Sequence, residues 1–142
     1  MNLKELQLEI AEALNDDEAL MQGGCRAFAE DSHDVVREVE TKLHESGGVA
    51  LVVLTPQGER AGGRPGDEIH IDLPRLTVAA VEIPALNRLD PAHLTALQAA
   101  QRAAFVLDAP GIEFLSFSQR AEEGGTLTVD AVFQTQIELT ES

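Results

Sequence analysis

Three side chains with the chemistry of metal ligands alternate along a short stretch of the sequence. Glu68, His70 and Asp72 lie two residues apart, and in a β-strand this spacing places all three on one face. Carboxylate and imidazole groups together can bind Zn²⁺ or Mn²⁺. The positions between them are apolar: Ile69, Ile71 and Leu73. The solvent face of an amphipathic strand gives the same pattern and is the simpler interpretation, so we expect no metal and no other cofactor.

Two arginines stand out in residues 56–66, a long stretch rich in glycine and proline. Arg60 and Arg64 are two of only ten basic residues, against 25 acidic ones. The stretch lacks the Gly-Lys-Ser/Thr ending of a phosphate-binding loop, which argues against a nucleotide site. We predict a mobile loop whose arginines pair with an acidic surface, such as that of a second copy of the chain. Arg60 and Arg64 are therefore candidates for self-association, and a loop without a binding role is the alternative.

The remaining reactive groups have structural explanations. Cys25 and His33 could form a nucleophile and its base, but no third residue at a fixed spacing would orient them, so we interpret Cys25 as a buried thiol. A set of carboxylates falls on the polar side of a predicted helix and is interpreted as a solvated face: Asp34, Glu38, Glu40 and Glu45. We interpret His93 and the pair Asn87-Arg88 as structural or solvent-exposed. No catalytic residue is identified, and we expect no enzyme.

Charge and composition restrict the partners. The formal net charge is −15, which repels a phosphate backbone, so sequence-specific binding of nucleic acid is not expected. Tryptophan and tyrosine are absent, which leaves few rings for stacking on bases. No run of eighteen apolar residues occurs, so we expect no membrane span. The single cysteine excludes an internal disulfide and fits a reducing compartment.

In the first half of the chain, the spacing of Leu3, Leu6, Ile10 and Leu14 predicts a helix. Residues 18–30 show no clear pattern. A second helix is expected to begin at Asp31 or Ser32 and to end at Gly47-Gly48, with three buried residues: Val36, Val39 and Leu43. The apolar run of residues 49–55 predicts a central strand that is covered on both faces.

In the second half, residues 69–73 predict a strand that Pro74 confines to an edge or a bulge, and residues 76–83 continue in extended form. Asp90-Pro91 predicts the start of a helix that reaches about residue 109. Its expected buried stripe is Leu94, Leu97, Ala100, Ala104 and Leu107. Residues 112–119 and 126–139 predict two strands, joined through residues 122–125 as a hairpin.

The final strand is unusually long. Apolar and polar residues alternate from Leu127 to Leu139, which at roughly 3.3 Å per residue spans about 40 Å. Such a strand either projects from a small domain or is covered by another chain. We expect one buried cluster of Leu97, Ala104, Val129, Phe133 and Ile137.

These elements predict a single α+β domain over residues 1–142, with a helical N-terminal segment (1–30) and a core (31–142). The sheet is expected to be mainly antiparallel, with helices packed on one face and a long C-terminal hairpin.

The order of these elements resembles that of tail terminator and minor tail proteins of long-tailed bacteriophages. Residues 81–88 read V-E-I-P-A-L-N-R, similar to an E-x-P-x-x-N-R passage common in such prophage-encoded proteins, and the likeness covers most of residues 31–140. The resemblance implies a structural virion protein that forms a ring, usually hexameric, which caps the tail tube and joins it to the head. Its partners would be itself, tail-tube proteins and head-completion proteins. It would assemble in the bacterial cytoplasm and reside in the virion tail.

A second function class stays open from the residues alone. The chain could be a small intracellular binding or regulatory module, with a metal dependence that would come from Glu68, His70 and Asp72.

Overall fold

The computed structural model describes residues 2–54, 57–122 and 124–140. Within these residues the helices are α1 (Leu3–Asn15), α2 (Glu18–Gln22), α3 (Val35–Thr41), α4 (Pro84–Asn87) and α5 (Ala96–Leu107), and a π-helical turn, Lys42–Ser46, continues α3. The strands are β1 (Cys25–Ala29), β2 (Val49–Val53), β3 (Glu59–Arg60), β4 (Ile71–Glu82), β5 (Ile112–Glu122) and β6 (Thr126–Leu139).

The described strands form one sheet in the order β1-β2-β4-β6-β5, and β3 pairs with the beginning of β4. β1 is parallel to β2, and every other pairing is antiparallel. The predicted α+β class, the mainly antiparallel sheet and the C-terminal hairpin are therefore confirmed. The sequence did not indicate β1, which lies in the segment without a clear pattern. β1 is only five residues long and has no alternating pattern of its own, so the backbone hydrogen bonds to β2 stabilise it.

One face of the sheet packs against α1 and α5. Six residues of α5, five of them alanines, are buried: Ala96, Ala99, Ala100, Ala103, Ala104 and Leu107. Small side chains let the helix approach the sheet closely, and Phe133 of β6 is fully enclosed beneath it. Ala104 and Val129 are buried in the same cluster, as predicted, and Ile137 packs against it.

Leu97 does not join this cluster, contrary to prediction, because its side chain is 48% exposed. The buried stripe of α5 is centred on Ala96, Ala103 and Leu107, and at about 100° per residue Leu97 lies at its margin.

The predicted start of α5 is also wrong. Thr95, not Asp90, is the N-cap, since its hydroxyl accepts a hydrogen bond from Gln98 N and the Gln98 side chain accepts one from Thr95 N. Asp90-Pro91 lies in a turn instead, where the Asp90 carboxylate accepts a hydrogen bond from Ala92 N. Aspartate followed by proline favours a turn as much as a helix start.

The opposite face is covered over β1 and β2 by α3 and its π-helical turn. Phe28, Leu43 and Ala50 form a second buried cluster there. All five residues of β2 are buried, which confirms the strand covered on both faces; residue 55 lies outside the described part. Val36 is exposed, contrary to prediction. The helix begins at Val35 rather than at Asp31 or Ser32, and its buried face carries Val35 and Val39, which leaves Val36 toward solvent.

The two extended segments predicted on either side of Pro74 are one strand, β4. Its register with β6 shifts between Leu73 and Arg75, which places the expected bulge at Pro74. Ile69 precedes the strand, and both Ile69 and Ile71 are exposed rather than buried. Of the three apolar residues that alternate along this stretch, Ile69, Ile71 and Leu73, Leu73 alone is buried.

The long strand β6 does not project. It pairs with β4 from Leu127 to Leu139 and with β5 from Thr126 to Thr135. The last four residues of β6, 136–139, therefore lie beyond its pairing with β5. No helix within the described residues is both long and apolar enough to span a membrane.

Candidate assembly surface

The two outer strands of the sheet differ in how they are protected. At β1, the Asn15 side chain donates a hydrogen bond to Ala27 O (3.1 Å) and accepts one from Ala27 N (2.7 Å). These are the two bonds that the backbone of an adjacent strand would make. The centre of the β1 edge is thus closed by the last residue of α1.

At the other edge, β5 is open beyond Phe114. At its beginning, Ile112 exchanges two backbone hydrogen bonds with Ala109, and Phe114 N donates one to the Asp108 carboxylate. The strand is eleven residues long, and apart from Ile112 and Phe114 its side chains are exposed along the whole strand. In the part of the chain that the structure describes, no strand pairs with its outer side. A register shift between Phe114 and Ser116 interrupts the strand, and the remainder is regular. Unpaired backbone groups of this kind favour pairing with another chain.

A groove of about 460 Å³ lies between α5 and β5, and we call it the aromatic groove. Phe105, Phe114 and Phe117 line it. The rings of Phe114 and Phe117 are 4.6 Å apart between centroids, and Phe114 also contacts the buried Phe133 at 5.8 Å. Phe105 is 69% exposed. A continuous set of rings therefore leads from the core to the surface beside the open strand, an arrangement typical of a protein-binding site.

The aromatic groove is acidic at one end. Asp108 and Glu113 belong to its lining. The Asp108 carboxylate accepts a hydrogen bond from Phe114 N, whereas Glu113 is exposed and has no ion pair within the described residues. Asp108 is the C-cap of α5, and the carbonyl end of a helix carries partial negative charge. This end of the groove favours a cation.

The arginine loop, residues 57–70, gives its two arginines different roles. The Arg60 guanidinium donates hydrogen bonds to Gly62 O (3.1 Å) and Arg64 O (2.7 Å), so it holds the loop together. The backbone N–H of Arg64 donates a hydrogen bond to the Asp67 carboxylate (3.0 Å), but in the described ranges the Arg64 guanidinium has no partner. Contact of either arginine with a second chain stays a prediction, as does the mobility of the loop; residue 56 lies outside the described part.

The metal candidates come together only in part. His70 Nδ1 lies 2.6 Å from an oxygen of Glu138, and His70 Nε2 lies 3.7 Å from one of Glu68. Among the described residues, Asp72 makes no ion pair with His70. In the sheet it lies opposite Glu138 of β6 and Glu59 of β3. Over those residues, no group of three His, Cys, Asp or Glu side chains has the arrangement of a metal site. The sequence did not indicate Glu138 as a partner of His70, because β6 is distant from His70 in the sequence although it lies beside β4 in the sheet.

The passage that resembles phage tail proteins forms a buried polar network. The Glu82 carboxylate is fully buried and accepts hydrogen bonds from Asn87 Nδ2 and from Arg88 Nη2 (2.7 Å). Asn87 Nδ2 also donates to Leu94 O (2.9 Å), and His93 Nδ1 lies 3.1 Å from Asn87 Oδ1. The network fixes the connection between β4 and α5, so these residues are structural.

The same connection packs tightly against the beginnings of β1 and β2. A Cβ atom on Gly24 would lie 2.5 Å from the His93 ring, and one on Gly48 would lie 2.0 Å from Gly24 O. Both glycines have φ of +77°, a conformation that other residues rarely adopt. Glycine is required at both positions for the three segments to meet.

Cys25 is buried, in agreement with its interpretation as a buried thiol. Burial raises the pKa of the Cys25 thiol to about 12, which leaves little reactive thiolate. His33 is exposed and makes no hydrogen bond to Cys25. The predicted solvated carboxylates Asp34, Glu38, Glu40 and Glu45 are all exposed. Two of them, Asp34 and Glu38, line a cleft that also contains the basic residues Arg26, Arg37 and Lys42.

Comparison with known proteins bears on the fold. No family model and no curated protein sequence matches the chain. Among solved structures, the chain is similar to one from a structure described as "Virion of native gene transfer agent (GTA) particle", with a TM-score of 0.54 and 17% sequence identity. The match covers 94% of this chain and 95% of that chain. The two chains share a fold over nearly their whole lengths.

Proposed function

We propose that the protein is a structural, non-enzymatic component of a virion and acts by binding other copies of itself and other virion proteins. The finer proposal is a tail terminator, which forms a ring, usually hexameric in tail terminators, on the end of the tail tube and joins it to the head. It would assemble in the bacterial cytoplasm and remain in the virion tail.

The observation that carries this proposal is the difference between the two sheet edges. Asn15 occupies the centre of the β1 edge, whereas β5 beyond Phe114 has no strand on its outer side among the described residues. A soluble monomer usually protects both outer strands, because an open strand recruits other chains. One open edge is what a subunit needs if it joins others in a defined direction. The shared fold with a chain of a gene transfer agent virion supports the same class of protein.

The charge of the chain suits a ring through which DNA passes. With a net charge of −15, the surface around a central opening would repel the phosphate backbone. DNA could then move through the ring without adhering to it.

The test uses purified tail tubes of the cognate particle. Light scattering at high protein concentration and negative-stain microscopy of mixtures with tubes would detect rings and capped tube ends. We expect capping, and we expect it to weaken with added salt, because charged contacts between subunits are screened. If no ring forms and the tubes are neither capped nor limited in length, the tail terminator proposal is wrong.

A pair of proline variants tests whether β5 provides the contact. Ser118→Pro and Gln119→Pro affect adjacent residues, whose N–H groups point alternately toward β6 and toward the open side. Only the variant that loses the outward N–H should keep its fold, as judged by circular dichroism. That folded variant should cap tubes poorly. Wild-type capping by the folded variant would exclude pairing at this part of β5.

A further inference from the structure

We propose that the arginine loop of one copy docks in the aromatic groove of a neighbouring copy, with the Arg64 guanidinium facing the carboxylates of Asp108 and Glu113. This inference rests on the proposed function and names the two surfaces that would join adjacent subunits.

The charges of the arginine loop and the aromatic groove are complementary. Arg64 lies on an exposed loop, and its guanidinium has no partner within the described residues, whereas Arg60 is bound to carbonyl groups of its own loop. The groove offers Glu113, which is equally unpaired there, and Asp108 at the C-terminal end of α5. A guanidinium can donate two parallel hydrogen bonds to a carboxylate, which fixes orientation as well as adding attraction.

Exposed apolar groups accompany both charged partners. Ile69 of the arginine loop is 57% exposed, and in the groove Phe117 is 38% exposed beside the more exposed Phe105. An interface commonly combines an apolar centre with charged groups at its rim. Ile69 on one copy and the two rings on the other can supply that centre, with Arg64 and the carboxylates at the rim.

The strand order places the loop and the groove on opposite flanks of one end of the sheet. In β3, Glu59 pairs with Asp72 of β4, which pairs with Glu138 of β6. On the far side of β6, β5 begins where Ile112 pairs with Thr135. The loop thus leaves the sheet on one flank while the groove lies on the other. Contact between two different surfaces repeats from copy to copy, as a closed ring requires.

The test is a pair of charge reversals and their combination. Arg64→Glu and Glu113→Arg should each weaken association in sedimentation velocity, and capping of tail tubes, by about tenfold or more. In the double variant the two charges are exchanged, so association should return to within about threefold of wild type. Arg75→Glu and Glu9→Arg are matched controls, because they make the same charge changes at exposed positions outside both surfaces.

The outcomes separate this inference from the proposed function. If wild-type protein caps tubes and neither single reversal affects capping, the docking inference is wrong while the proposed function stands. If both reversals weaken association but the double variant does not recover, Arg64 and Glu113 do not face each other and the pairing is wrong. If wild-type protein neither associates nor caps tubes, the proposed function and this inference both fail. Circular dichroism of each variant ensures that lost association is not lost folding.

Discussion

The side chain of Asn15 takes the place of a neighbouring strand beside Ala27, through one donated and one accepted hydrogen bond. Asn15 ends α1, and Ala27 is the middle residue of β1. The contact therefore both attaches the helix to the sheet and closes one outer edge. It leaves β5 as the open edge, which is the asymmetry on which the proposed assembly depends.

Asn15→Ala should lower the free energy of unfolding by about 1 to 3 kcal/mol, because two hydrogen bonds to the backbone are lost. Urea unfolding measures this change. The newly open β1 edge should also increase the scattering of concentrated samples. Gln22→Ala is the control, since Gln22 is exposed and its side-chain amide donates to the Glu18 carboxylate of the same helix rather than to a strand. A loss below about 0.5 kcal/mol would show that water replaces the Asn15 contacts.

The alternation of β6 and the apolar spacing of α1 were enough to predict those elements, because each pattern is local and one face of each element is buried. β1 and its cap by Asn15 could not be predicted in this way. β1 has little pattern of its own, and both features depend on residues that only the folded chain brings together. The start of α5 failed for another reason: Asp90 and Thr95 both carry capping chemistry, and packing decides between them.

The candidate site could be predicted only in part, because some of its residues are brought together only when the chain folds. The exposed arginine loop was visible from its glycines and prolines. The aromatic groove was not, because Phe105 and Phe117 belong to different elements and meet only when β5 lies beside α5. The motif around Glu82 was visible as a pattern, but its role as a buried network depends on how the connection folds back.

Substitution of Phe133 should lower stability, whereas substitution of Phe105 should lower association. Phe133 is fully buried, so Phe133→Ala should cost about 3 to 5 kcal/mol in urea unfolding. Phe105 is largely exposed, so Phe105→Ala should change stability by no more than about 0.5 kcal/mol. It should nevertheless reduce association if the aromatic groove is an interface. A cost below about 1 kcal/mol for Phe133→Ala would place that ring at the periphery.

The ion pair between Glu82 and Arg88 should respond unequally to loss of either partner. The Glu82 side chain is fully buried, whereas that of Arg88 is half exposed. Arg88→Met leaves a buried carboxylate with only the Asn87 amide, and should cost about 1.5 to 3 kcal/mol. Glu82→Met removes the charge itself, so Arg88 can turn to water while Asn87 keeps its bond to Leu94 O, and this change should cost less, about 1 kcal/mol. Urea unfolding of the two variants tests the order, and a reversed order would contradict it.

The Cys25 thiol should react slowly in the native protein. Its pKa of about 12 results mainly from burial, so at about pH 8 we expect reaction with a disulfide reagent to be at least about a hundredfold slower than in the urea-unfolded chain. A Cys25→Ser, Ser118→Cys variant is the control, because Ser118 lies exposed on β5. Equal rates at Cys25 in native and unfolded protein would show that the thiol is accessible.

The contact between Asp17 and Arg102 should make stability depend on pH in acid. Arg102 donates hydrogen bonds of 2.9 and 2.7 Å to the two oxygens of Asp17, and these bonds lower the pKa of the Asp17 carboxyl. A carboxyl whose pKa is lower in the folded state stabilises the fold fully above its unfolded pKa, about 4. That stabilisation is lost as the pH falls through the folded pKa. Arg102→Gln should therefore destabilise the protein near neutral pH, and its deficit should shrink in acid.

Urea unfolding of wild type and Arg102→Gln between about pH 7 and the lowest pH at which both remain folded measures this difference. Arg75→Gln is the control, because among the described residues the Arg75 guanidinium bonds the carbonyl of Pro74 and no carboxylate, so any effect should not vary with pH. Asp17 also caps α2 through Leu20 N, and that bond remains in Arg102→Gln. A deficit that stays constant into acid would mean that Arg102 stabilises the fold by packing rather than through the Asp17 carboxylate.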